Sequence, residues 1–185
     1  APLKDGKPPT DFGKDIFPNI YQKHHVHAHI FDDFWEDLGT IRAYWEVSLA
    51  SCDDQPKFEF HSPRGVIYTR VRNLPPSRIS EAKLEKVRLA EGCVIQAGAL
   101  IRRSIIGVRS RICRDVCIEN TVLTGADRIE SDADREDNAR RGRIDLGVGA
   151  GTIIRGAIID KDCRIGKKVH IENDRGIPFL HEDTN

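Results

Sequence analysis

From Leu89 onward the chain repeats a branched aliphatic residue every six positions, a period that neither a helix nor an alternating strand can produce. Leu89, Ile95 and Ile101 form one row, and after a five-residue step Ile106, Ile112 and Ile118 form a second. Ile153, Ile159, Ile165 and Ile171 form a third, with Gly151, Ala157, Cys163 and Val169 two residues before its members. A six-residue period predicts a solenoid of short parallel strands, with one strand and turn per repeat and three repeats to a coil. Each coil would stack its branched side chain on the one before, building an aliphatic core too narrow for rings. The aromatic residues agree: eleven of twelve lie between Phe12 and Tyr68, and only Phe179 lies beyond.

An aromatic front and a ring-free repeat cannot share one kind of core, so a boundary is expected between them. The stretch from Asp53 through Pro56, Pro63 and Leu74-Pro75-Pro76 cannot support a regular helix and reads as a linker with extended pieces such as Gly65–Thr69. The resulting division is 1–52, 53–78 and 79–185. Between Thr124 and Arg143 the period fails and charges of both signs crowd together. That segment is expected to project as a loop with a short helix, either as a solvated insertion or as a surface for a partner or ligand.

In the front segment, Asp11-Phe12-Gly13 precedes a short helix ending near Lys23, and His24–Phe31 reads as a strand with His25, His27 and His29 on one face. Such histidines stand about 7 Å apart along a strand and diverge, which favours a polar face over a zinc site. Phe34–Leu38 reads as a strand that turns at Gly39 into a helix capped by Thr40, with Ile41, Tyr44, Trp45, Ser48 and Leu49 on one helix face. Asp37 would then lie at the carboxyl end of a strand, where open α/β sheets place ligands, or would simply bond its own turn.

Composition narrows the remaining classes. The 185 residues carry 29 Lys+Arg against 29 Asp+Glu, which argues against nucleic-acid binding through a general basic field. No apolar run approaches a membrane span, and the five cysteines include no C-x-x-C pair, so a cytosolic protein with reduced thiols is expected, without membrane or zinc partners.

Several short segments resemble the carboxyl-terminal part of ADP-glucose pyrophosphorylases (glucose-1-phosphate adenylyltransferases). They are Asp11-Phe12-Gly13-Lys14-Asp15-Ile16-Phe17-Pro18, Trp35-Glu36-Asp37-Leu38-Gly39-Thr40-Ile41, Leu74-Pro75-Pro76-Ser77, Gly125-Ala126-Asp127, Ser131-Asp132-Ala133-Asp134-Arg135 and Ile158-Ile159-Asp160-Lys161. They follow the family's order and span most of the chain. The resemblance implies a mixed α/β remnant of a Rossmann-like nucleotidyltransferase domain followed by a left-handed parallel β-helix of hexapeptide repeats. It implies a reaction in which glucose 1-phosphate attacks the α-phosphate of ATP, with Mg²⁺ as cofactor. Asp37 matches one metal-binding Asp of the family, and Lys14 matches a segment beside the sugar-phosphate pocket. Lys161 matches an activator lysine of the plant and cyanobacterial branch, and Arg70 or Arg72 falls where the family places an effector-responsive arginine. Phosphorylated metabolites are the implied effectors, a homo- or hetero-tetramer the implied assembly, and the cytoplasm or a plastid the implied compartment.

The family's Gly-rich nucleotide loop, its earlier metal Asp and its Glu-Lys-Pro sugar segment lie upstream of the first residue here, so the isolated polypeptide is expected to lack adenylyltransferase activity. A further family lysine near the carboxyl terminus has no counterpart in the segment around Pro178-Phe179-Leu180-His181-Glu182. Other readings stay open. A non-catalytic regulatory subunit would keep the fold and the effector contacts. A relative using another base or sugar would keep the chemistry. A hexapeptide-repeat acyltransferase would need a base such as His170, the one histidine within the repeat.

Overall fold

A computed structural model describes residues 8–62 and 65–173, and the chain divides into two units, Ala1–Trp35 and Glu36–Asn185. The segment containing Phe179 and Pro178–Glu182 lies outside the described residues.

In the first unit, Asp11 caps a π-helical turn, Phe12–Ile16, its Oδ1 accepting the Lys14 N–H at 2.7 Å. Asp15 closes the same turn by accepting the N–H groups of Thr10 and Asp11. Helix α1, Phe17–Ile20, follows with Pro18 in its first turn, where a missing N–H costs nothing. Residues 25–32 then form no strand, contrary to the expectation for His24–Phe31, and their side chains are exposed. The alternation His25, His27, His29 is not enough for a strand: the backbone needs a ladder partner, and no described segment supplies one.

The second unit opens with residues 36–39, also irregular, so Asp37 does not end a strand. Thr40 caps helix α2, Ile41–Ala50, as expected, its hydroxyl accepting the Ala43 N–H at 3.0 Å. Of the face expected to be buried, Leu49 is buried, whereas Ile41 and Tyr44 are exposed. The helix meets the solenoid through its later turns: Trp45 Nε1–H donates to the Asn120 carbonyl at 2.9 Å, and Cys52 Sγ lies 3.6 Å from the Ser104 carbonyl. Beyond α2, β1 (His61–Ser62) pairs antiparallel with β2 (Gly65–Val66). Leu74-Pro75-Pro76-Ser77 then locks the entry to the solenoid. The Pro75 carbonyl accepts the Gly92 N–H at 2.9 Å, and Ser77 Oγ donates to the Ala90 carbonyl while accepting the Cys93 N–H.

The solenoid has three parallel faces. The first stacks β3 (Arg78–Ile79), β5 (Val94–Ile95), β7 (Arg111–Ile112), β10 (Gly147–Val148) and β13 (Arg164–Ile165). The second stacks the start of β4 (Lys83–Leu89) and of β6 (Leu100–Ile106) with β8 (Cys117–Glu119), β11 (Ile153–Arg155) and β14 (His170–Ile171). The third stacks the ends of β4 and β6 with β9 (Val122–Leu123) and β12 (Ile158–Ile159). Ile95, Ile101, Ile106, Ile112, Ile118 and Ile154 are fully buried along the axis, and no aromatic ring joins them.

Two details differ from the hexapeptide expectation. Paired residues lie seventeen positions apart, as in Ile95 with Ile112 and Ile106 with Leu123, so a coil is one residue shorter than three hexapeptides. The missing residue is at the corner between the second and third faces, which β4 and β6 cross as continuous strands and where Ile101 reaches Ile106 in five positions. For the same reason the third row of the sequence pattern begins at Ile154, not Ile153. Ile154 pairs with Ile118 and Ile171, and Ile153 stands in register with Cys117 and His170 on the other side of the sheet.

Corners require left-handed backbone, and it recurs in columns: Glu81, Gly98, Asp115, Gly151 and Lys168 at one edge, Lys86, Arg103, Asn120 and Gly156 at another. Coil stacking imposes this conformation even on Lys, Arg and Glu, at about 1–2 kcal/mol each.

Candidate functional site

The residues with chemical potential in the second unit gather where the coil pattern is interrupted. Ile112 pairs with Val148 and Leu123 with Ile159, separations of thirty-six, so nineteen extra residues leave and rejoin the stack here. Glycines mark both ends. Gly125 has φ +99° and a Cβ there would lie 2.2 Å from the Val108 carbonyl oxygen; Gly147 has φ +105° and the same 2.2 Å approach to the Arg111 carbonyl oxygen.

The excursion folds into helix α3, Asp132–Arg140, as the charge pattern allowed. Ser131 Oγ accepts the Asp134 N–H at 3.1 Å, and the Asp134 carboxylate accepts the Ser131 N–H at 2.8 Å, a reciprocal capping box. Glu130, immediately before it, is the anchor. Its side chain is 2% exposed. Oε1 accepts Asn138 Nδ2 at 3.0 Å and Arg164 Nη2 at 2.6 Å, and Oε2 accepts the Leu146 N–H at 2.8 Å. Burial opposes ionisation of this carboxyl, but the three donors outweigh it and hold it below its usual range. Sequence reasoning missed Glu130 and Arg164. The available signal was an acid directly preceding a Ser-x-x-Asp cap.

Lys161, the expected effector residue, sits beside the start of the excursion. Its Nζ is 2.7 Å from Asp127 Oδ2, and Asp162 Oδ1 accepts the Asp127 N–H at 2.8 Å. Asp160 Oδ1 accepts the Lys161 backbone N–H at 2.8 Å. Asp127 accordingly holds the Lys161 ammonium above its ordinary range, and Lys161 holds the Asp127 carboxyl below its own. Two motifs distant in sequence, Gly125-Ala126-Asp127 and Asp160-Lys161, therefore form one cluster.

The other expected site residues stand apart from it. Lys14 lies exposed in the π-helical turn of the first unit. Asp37 is exposed, its carboxylate folded back over Gly39, where a Cβ would lie 3.5 Å from Oδ1. Arg70 and Arg72 are exposed on the irregular segment before Leu74. Among the described residues, no hydrogen bond or ion pair joins Asp37, Arg70, Arg72 and Lys161 to one another. No group of three or more His, Cys, Asp or Glu side chains among the described residues is arranged to hold a metal ion, and no described helix is long and apolar enough to cross a membrane. His170, the base an acyltransferase would need, is exposed on β14.

A continuous ladder of charge runs down the second face. Glu85, Arg102, Glu119, Arg155 and Glu172 occupy equivalent positions in successive coils, with contacts of 2.9, 2.9, 2.7 and 2.7 Å. Arg155 and then Arg102 hold the Glu119 carboxyl below its usual range.

Comparison with known families fits both halves of the chain. Residues 2–54 match a nucleotidyl transferase model, and residues 72–184, more than half of the sequence, match the GLGC left-handed parallel β-helix domain. A stacked three-faced parallel solenoid preceded by a nucleotidyltransferase segment thus makes this chain a member of the GLGC family, an ADP-glucose pyrophosphorylase-type protein with a carboxyl-terminal left-handed β-helix.

Proposed function

We propose that the protein to which this sequence belongs is a glucose-1-phosphate adenylyltransferase, joining ATP and glucose 1-phosphate to give ADP-glucose and pyrophosphate for glycogen or starch synthesis. The observation that carries this reading is the order of the two matched families, a nucleotidyl transferase segment at 2–54 followed by a GLGC β-helix at 72–184. In this reading the β-helix is the regulatory and tetramer-forming part, working in the cytoplasm or a plastid.

Asp37 is suited to be one Mg²⁺ ligand. Magnesium is typically held by one or two carboxylates with substrate phosphates and water completing its shell, so a single exposed carboxylate with no competing ion pair among the described residues fits. When bound, the ion would offset charge developing on the phosphates. Lys14, exposed beside a capped turn, would offer its ammonium to the sugar phosphate. Lys161, with Arg70 and Arg72, would receive phosphorylated effectors, and at Lys161 the ligand would have to displace Asp127.

The test is pyrophosphate release by the intact enzyme with Mg²⁺, offering ATP or GTP against glucose 1-phosphate or mannose 1-phosphate, with and without 3-phosphoglycerate. Turnover confined to ATP and glucose 1-phosphate is expected, with stimulation by the effector. Turnover with another pair would reassign the substrates, and no turnover with any pair would make the chain part of a regulatory subunit.

A further inference from the structure

A second basic site lies under the excursion. A cleft of about 330 Å³, counting its open mouth, separates the excursion from the first face of the solenoid. Four arginines line it, Arg109, Arg111, Arg128 and Arg135, against a single acidic residue, Glu130. That carboxylate is already committed to Arg164, Asn138 and the Leu146 N–H, so it does little to neutralise the cleft.

The four cations differ in how far they are occupied. Arg109 donates to the Ala126 carbonyl at 3.1 Å, and Arg135 is held by the Glu130 carbonyl and the Asp132 carboxylate. Arg128 makes only long approaches, 3.7 Å to Glu130 and 4.0 Å to Asp134. The Arg111 side chain makes no hydrogen bond or ion pair among the described residues, although the residue is only partly exposed and borders this cleft and the neighbouring one. A partly exposed arginine at a cleft wall, with five side-chain donors and no protein acceptor, leaves those donors available to a ligand. The base of its side chain is held by the coil, since the Gly147 backbone packs against its strand closely enough that a Cβ there would lie 3.0 Å from the Arg111 Cβ.

We propose that this cleft binds a small phosphate-bearing dianion, with Arg111 as its principal partner, Arg128 closing on it from the excursion, and Arg109 and Arg135 adding to the field. A tetrahedral anion with several acceptor oxygens can engage several planar forks at once, which a carboxylate or chloride would use less fully. Because the excursion carries Arg128 ahead of α3 and Arg135 within it, an anion bridging Arg111 and Arg128 would clamp the excursion onto the coil. The site does not depend on the catalytic reading. Binding is measured without turnover, so either can fail alone.

The full chain would be titrated calorimetrically at low ionic strength, separately with inorganic phosphate and with methyl phosphate. Saturable binding that depends on Arg111 and Arg128 is expected. Arg111→Gln and Arg128→Gln should each weaken it at least about tenfold, the scale of losing a charge-assisted hydrogen-bonding partner. Arg111→Lys should retain more affinity than Arg111→Gln. Tighter binding of methyl phosphate would identify a phosphate ester as the ligand, and tighter binding of inorganic phosphate the free ion; both support the site. Absence of saturable binding to either probe, or unchanged affinity in Arg111→Gln and Arg128→Gln, would overturn it. Arg128 is half exposed, so its variant keeps the test decisive should Arg111→Gln fold poorly.

Discussion

Replacing Glu130 by Gln probes how the excursion is fastened, because shape is kept while the acceptor pattern is broken. Both carboxylate oxygens of Glu130 receive N–H donors: Oε1 from Asn138 and Arg164, Oε2 from Leu146. A glutamine offers one oxygen only, so its amide nitrogen must face a donor whichever way it turns. The variant therefore loses at least one hydrogen bond to a charged acceptor, and the positive charge of Arg164 loses its partner. Hydrogen bonds to charged groups contribute about 1.5–3 kcal/mol, which places the local loss at about 2–3 kcal/mol. At 1.4 kcal/mol per factor of ten, the opened excursion becomes roughly 30- to 140-fold more populated. Amide hydrogen exchange reads this directly, since the Leu146 N–H is protected by the Glu130 carboxylate itself. Its exchange and that of α3 should accelerate by that factor, while the Leu100 N–H, bonded to the Val116 carbonyl inside the coil at 2.8 Å, should keep its rate. Exchange at Leu146 within about threefold of the parent would refute the anchoring role, and equal acceleration at Leu100 would show that the excursion and coil open as one unit.

Other expectations concern the coil. Ile118, fully buried in the middle of the stack, should cost about 2–5 kcal/mol when truncated to Ala, lowering the urea midpoint; an unchanged midpoint would contradict a close-packed axis. Gly147→Ala should cost at least about 2 kcal/mol, because the left-handed backbone and the 2.2 Å approach to the Arg111 carbonyl oxygen must both relax. Glu119 and Glu85 have folded-state pKa values below the ordinary 4.5, so the unfolded chain binds more protons in acid and stability rises with pH through that window. Their contribution should be complete above about pH 5 and disappear as pH falls below 4.5, and Arg102→Gln should flatten this acid limb of a melting-temperature profile. Burial pushes the Cys93 thiol up, so with an aromatic disulfide reagent at pH 8 it should react more slowly than the less buried Cys113, Cys117 and Cys163; the reverse order would place Cys93 at the surface.

The axial core was legible in the sequence because a solenoid writes its geometry as a period. Isoleucines six apart gave the three faces, and the missing rings gave the narrow axis. What the period could not convey was phase. Counting back six from Ile159 selects Ile153, but the chain crosses that corner in five residues, and only the pairing with Ile118 and Ile171 identifies Ile154. The front segment misled for a different reason. Alternating His25, His27 and His29 satisfied the local pattern of a strand, but a strand is defined by what its backbone bonds to, and a linear pattern carries no information about that neighbour. Thr40 succeeded where these failed because a helix cap is wholly local, closed within three residues by the Ala43 N–H.

The chemistry of the second unit lies where periodicity stops, and the coil's own construction requires this. Each coil adds the same seventeen-residue increment, so nineteen further residues cannot be absorbed into the stack and must leave at a corner. Having left, they cannot reach the aliphatic axis and must satisfy their polar groups by other means: Glu130 takes Arg164 from the coil, Asp127 takes Lys161, and Ser131 and Asp134 cap each other. Three of the six segments that carried the resemblance, Gly125-Ala126-Asp127, Ser131–Arg135 and Ile158–Lys161, are pieces of that one solution, the first where the chain leaves the coil, the second at the start of α3 and the third in the coil beneath. The regular strands need only branched residues of roughly the right size, whereas the break needs particular ions at particular places. Arg111 is left over from that arrangement: it belongs to the coil, faces the break, and none of the acids that fasten the excursion reaches it. A cation on the coil, opposite cations on the excursion, is the arrangement in which the proposed anion would fasten one to the other.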